Sequence, residues 1–92
     1  MATNARQTGA FTACVAAEIR GLRAKRGITQ AKLASNSGIA RSTLTKIEGG
    51  DYAIDMEQLG KIARALGVDP FSIIVAAEAE LTSMPQSSAV GE

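Results

Sequence analysis

Arg41, Ser42, Thr45 and Lys46 stand at i, i+1, i+4 and i+5. On an α-helix that spacing puts all four on one face, with Leu44 and Ile47 on the other. Two are cations, two carry hydroxyls, and none is acidic. Such a row donates hydrogen bonds and neutralises negative charge, which suits a polyanionic partner.

Little else in the chain could do chemistry. There is no histidine, so no imidazole base, nucleophile activator or metal ligand. The one cysteine, Cys14, can form neither an internal disulfide nor a cysteine-rich zinc site, and reads as a small packed residue. No glycine loop is shaped for phosphate. Asp55 and Glu57 are more simply a helix cap and a first-turn charge than a catalytic pair. The expectation is a protein that is not an enzyme, with no cofactor, no metal and no small-molecule ligand.

The formal charge is only +1, but it is unevenly spread. Residues 1–46 hold eight Lys/Arg against one acid, Glu18; residues 47–92 hold two bases, Lys61 and Arg64, against eight acids. A basic half beside an acidic half points to a polyanion-facing surface on one side. Lys25, Arg26 and Lys32 belong to that general field.

At 92 residues, 46% hydrophobic and 21% charged, the chain fits one small globular domain with no room for a sensor module. Seventeen alanines and 3% aromatics favour closely packed helices. No apolar run exceeds five residues and no signal pattern opens the chain, so a soluble cytoplasmic protein without a membrane partner is expected.

Five helices must position the row. The first has Phe11, Val15, Ile19 and Leu22 as its apolar stripe, Thr8 or Thr12 as cap, and Gly27 as stop. Arg20, Arg23, Lys25 and Arg26 lie near its C-terminus, where cations suit the dipole. The second spans Gln30 to Ser37, capped by Thr29 and ended by Gly38. The third runs from Ala40 or Arg41 to about Glu48. Asp55 and Gln58 form a capping box for the fourth, which ends at Gly67. Asp69-Pro70 opens the fifth, whose apolar residues run from Phe71 to Leu81. Residues 1–7 are expected to be a flexible N-terminus, 8–81 the domain, and 82–92 a disordered tail.

From Gln30 to Glu48 the constraints combine. Leu33, Ile39, Leu44 and Ile47 are apolar, Ala34 must be small, and Gly38 must permit an unusual turn. That is the spacing of a helix-turn-helix, at about residues 29–49. The stretch from Ile19 to Ile74, about 56 residues of the 92, resembles the Cro/C1-type, phage repressor-like (XRE) DNA-binding family. The resemblance is carried by Thr29-Gln30, Leu33-Ala34, Gly38, Ser42-Thr43-Leu44, Ile47-Glu48, Gly50 and Leu59…Ile62-Ala63…Leu66-Gly67-Val68. Three places depart from the family pattern. Ser37 replaces a frequent apolar residue, Ala40 replaces a usual Ser/Thr cap, and Asp51 and Ile54 replace a basic residue and a proline.

The resemblance implies an all-α, five-helix lambda-repressor-like domain. It would regulate transcription as a short phage-type repressor or Cro-like protein, usually dimeric, on a near-palindromic operator in double-stranded DNA. The setting would be a bacterial cell or phage-infected host, at the nucleoid. Arg41, Ser42, Thr45 and Lys46 would read bases. Arg41 can pair bidentately with guanine O6 and N7. Gln30, Thr43, Tyr52 and Lys32 would contact phosphate, with Thr45 also able to donate a hydroxyl there. The alternatives are helix initiation for Gln30 and packing for Tyr52. Arg23 and Glu48 would form a structural ion pair. Phe71, Ile74, Val75 and Leu81 of the fifth helix would form a homodimer interface, unless they pack on their own core. A helix-turn-helix adaptor acting on proteins, or an antitoxin-type autoregulator, fits the same pattern.

Overall fold

A computed structural model describes residues 9–83. The expected flexible residues 1–7, the cap candidate Thr8 and the tail beyond residue 83 lie outside the described residues. The helices are α1 (Ala10–Arg26), α2 (Gln30–Ser37), α3 (Arg41–Glu48), α4 (Met56–Leu66) and α5 (Pro70–Ser83). The described residues contain no strand.

Local chemistry sets most boundaries. Thr29 Oγ1 accepts from the Lys32 amide at 3.0 Å and opens α2. Asp55 and Gln58 complete a capping box at α4, with Asp55 Oδ1 accepting from the Gln58 amide at 2.7 Å and Gln58 Oε1 from the Asp55 amide at 3.0 Å. Asp69 Oδ1 accepts from the Phe71 amide at 2.8 Å, so Asp69 caps α5 with Pro70 at its first helical position. Gly38 sits at φ 74°, where its N–H and that of Ile39 both reach the Ala34 carbonyl. A side chain there would be strained, and without that turn α3 could not leave α2 in three residues.

Two boundaries differ from the sequence expectation. Thr12 lies inside α1 and does not cap it; the cap position is Gly9, with no side-chain bond. The last helix also runs on through Thr82 and Ser83, whose hydroxyls bond back to the carbonyls of Glu78, Ala79 and Glu80. Those bonds satisfy the polar side chains locally, so serine and threonine do not end the helix there.

Every helix contributes to one core. Ile19 of α1, Leu33 of α2, Leu44 and Ile47 of α3, Ile62 and Leu66 of α4 and Ile73 of α5 are fully buried. The longest shared contact is α1 along α5. The buried face of α1 is wider than its large-residue stripe, because Cys14 and Ala16 are buried with Val15 and Ile19, while Phe11 is 37% exposed. Small side chains let neighbouring backbones close in: a methyl at Gly50 would stand 3.7 Å from the Ala13 Cα. Ser37 is buried at an otherwise apolar turn and donates to the Ala34 carbonyl at 3.3 Å, so its departure from the family pattern leaves no orphan hydroxyl.

Ala40 caps α3 without any side-chain hydrogen bond. Its φ of −58° and ψ of 140° are open to serine or aspartate. Ala40→Ser should stabilise the domain by about 0.5–1 kcal/mol. In a thermal melt that is a rise in Tm of about 2–8 °C; an unchanged or lower Tm would show that the new hydroxyl does not reach the α3 amides.

Candidate nucleic-acid interface

With Leu44 and Ile47 buried, the opposite side of α3 is set outward. Arg41, Ser42, Thr45 and Lys46 are all exposed. An eight-residue helix is about 12 Å long, so the four lie within one groove's reach of each other. Lys32 of α2 is exposed beside it, and Thr43 is half-buried at its edge.

Helix α3 is held from below by an acid. Glu48 is only 3% exposed. Its carboxylate accepts from Arg23 Nε at 2.9 Å and Arg23 Nη2 at 3.0 Å, a bidentate pair between α1 and the end of α3. Arg23 Nη1 also donates to the Ile28 carbonyl at 3.1 Å, which ties in the α1–α2 turn. An acid at a helix C-terminus opposes the dipole. Arg23 offsets the carboxylate, and Arg20 donates to the Glu48 backbone carbonyl. Arg20 therefore completes the end of α3 rather than only its own helix. The sequence hint was its place one turn before Arg23, but its partner lies 28 residues away.

Gln30 extends this arrangement to the surface. Its Nε2 donates to Glu48 Oε1 at 3.2 Å. Its Oε1 accepts from Thr45 Oγ1 at 3.0 Å and from Arg41 Nε at 3.4 Å. The first residue of α2 thus joins the buried ion pair to the exposed row, a link between positions 11 to 18 residues apart that spacing alone does not reveal.

Tyr52 sits in the loop after α3. It packs against the core, and its hydroxyl accepts from Gln58 Nε2 at 3.3 Å. Asp51 is exposed in the same loop. The four expected dimer residues fall into two pairs. Phe71 and Val75 are 67% and 49% exposed, whereas Ile74 and Leu81 are partly buried against the core. Asp51, Asp55, Glu57, Asp69, Glu78 and Glu80, which all follow α3 in the chain, are exposed, as are the two bases Lys61 and Arg64 of α4. No described helix is long and apolar enough to cross a membrane.

A helix-turn-helix family model matches residues 19–73. No curated protein matches the sequence. Among solved structures, the chain is similar to the clp gene regulator ClgR from Corynebacterium glutamicum, with a TM-score of 0.76 and 23% identity over 84% of this chain and 82% of that one. It is similar to the restriction-modification controller protein C.AhdI from Aeromonas hydrophila, with a TM-score of 0.68 and 29% identity over 71% of this chain and 98% of that one. The wild-type restriction-modification controller protein C.Esp1396I gives a TM-score of 0.75 and 22% identity over 83% of this chain and 99% of that one. These neighbours share the lambda-repressor-like five-helix fold.

Removing one partner of the buried pair should leave the other charge uncompensated. Glu48→Ala should cost about 3–5 kcal/mol, read from the denaturant midpoint. A loss below about 1 kcal/mol would show that Arg23 relaxes into solvent and that the pair does not hold α3.

Proposed function

The chain belongs to the XRE-type helix-turn-helix family of DNA-binding transcription regulators, and on that footing we propose that it is a repressor-type regulator that reads a near-palindromic operator as a homodimer. One observation carries the reading. Arg41, Ser42, Thr45 and Lys46 form an exposed row free of acids on α3, directly above buried Leu44 and Ile47. A row of that length suits a major groove.

Roles follow from position. Arg41 opens α3 and carries a planar fork matched to guanine O6 and N7. Ser42 and Lys46 lie beside it and read adjacent bases. Lys32 and Thr43 flank the row and meet phosphate oxygens, which fix register but carry no sequence information. Asp51 repels phosphate, so the loop after α3 contributes little to backbone contact. Tyr52 serves packing first, with its hydroxyl at the loop surface. The exposed acids of α4 and α5 repel phosphate and so stay clear of the DNA backbone.

Pairing is proposed through the exposed part of α5. Phe71 and Val75 stand one turn apart, and Met56, at 73% exposure, adds to the apolar surface of this half. Ile74 and Leu81 support them from the core side. Two-fold pairing would set half-sites about 34 Å apart, one turn of the duplex.

Selection of bound sequences from a random DNA pool should return two related half-sites at that spacing. Arg41→Ala should remove the preference for guanine and lower operator-over-random discrimination by about 1–3 kcal/mol; unchanged discrimination would take Arg41 out of the reading set. Removing α5 is a poor test of pairing, because Ile73 and Ala77 are core residues. Phe71→Glu is a better one. It should yield a folded monomer by sedimentation and weaken operator binding, and a variant that sediments as the wild type does would refute pairing through Phe71.

A further inference from the structure

The hydrogen bonds of Gln30 determine which way its amide points. A carboxylate accepts and does not donate, so the group of Gln30 facing Glu48 Oε1 at 3.2 Å is the NH2. The carbonyl oxygen is thereby turned to the outer side. There it meets Thr45 Oγ1 at 3.0 Å and Arg41 Nε at 3.4 Å. The buried Arg23–Glu48 pair prevents the reverse orientation, since a Gln30 carbonyl against the carboxylate would set two acceptors together.

This has consequences for the exposed row. Thr45 has one hydroxyl proton. Its acceptors, Gln30 Oε1 and the Arg41 carbonyl, both at 3.0 Å, lie within the protein. What Thr45 offers outward is a lone pair and a methyl group. Arg41 directs its Nε–H inward, which leaves its two terminal NH2 groups for a ligand.

We propose that Gln30 is a positioning residue that fixes the donor–acceptor polarity of the reading face. Arg41 presents donors, and Thr45 presents an acceptor. The inference rests on the reading that α3 enters a major groove. It adds the identity of the edge that fits: a guanine, with its O6 and N7 acceptors, against Arg41, and beside it a base bearing an amino group, cytosine N4 or adenine N6, against Thr45. A phosphate oxygen, which only accepts, does not fit Thr45 in this state.

The test uses the full chain, with Gln30→Met, which keeps the stem but loses the amide, and Thr45→Val, which keeps the shape but loses the hydroxyl. Thermal melts confirm that each variant is folded. Without DNA, the Arg41 Nε–H order parameter should be high in the wild type and fall below about 0.6 in Gln30→Met. Equal mobility in the two proteins would overturn the positioning role.

With DNA, the wild-type pool should return guanine next to an amino-bearing base. Thr45→Val should keep the guanine and lose the amino-base preference. Gln30→Met should relax both positions, lowering operator-over-random discrimination about tenfold or more while leaving the salt slope unchanged. If Gln30→Met instead weakens operator and random DNA alike, with the base preferences at both positions retained, Gln30 is a phosphate contact and the proposal fails. It fails equally if Thr45→Val retains the amino-base preference. A wild-type pool with no consensus would remove the groove-reading premise itself, a result distinguishable because it does not depend on either variant.

Discussion

The structure turns on a single buried carboxylate. Glu48 sits at the end of α3, almost wholly out of water, where both burial and the helix dipole disfavour its charge. It is tolerable there only because Arg23 approaches it with two parallel hydrogen bonds and Gln30 with a third. Those partners come from α1 and from the start of α2. One acid therefore ties together the three helices that make and carry the recognition unit. Arg20 adds a fourth tie at the same helix end through the Glu48 backbone.

That arrangement separates two kinds of work. Apolar burial supplies most of the adhesion, through side chains drawn from all five helices. It turns Leu44 and Ile47 of α3 inward, but being non-directional it does not by itself fix the finer rotation of α3 about its axis. Directional bonds to Glu48 and Gln30 do that. Rotation matters here because α3 is only eight residues long, and a turn of one residue would carry Arg41 or Lys46 away from the exposed row.

Charge is arranged with the same economy. Bases collect on α1 to α3, and the exposed acids lie after α3, on α4, α5 and the loops that lead to them. The near-neutral total conceals an uneven distribution along the chain, with Lys61 and Arg64 the only bases after α3. Exposed Phe71 and Val75 belong to α5, so a self-contact through them uses none of the residues of the α3 row.

Much of this was legible without coordinates. Helix ends followed from Thr29, Asp55, Asp69 and the glycines because capping is a local interaction between near neighbours in the chain. The inward set Leu33, Leu44, Ile47, Ile62 and Leu66 followed from periodicity, which reports which side of a helix is wet. The outward set on α3 is the complement of that pattern. The Arg23–Glu48 pair was anticipated only through family resemblance, not from spacing. Three things were decided by tertiary structure. Phe11 is left partly exposed because α1 buries its small residues instead. Arg20 serves another helix's terminus. Gln30 faces inward to Glu48 and outward to Arg41 and Thr45 at once. Each depends on how helices distant in sequence approach one another, and periodicity along one helix contains no information about its neighbour's position or rotation.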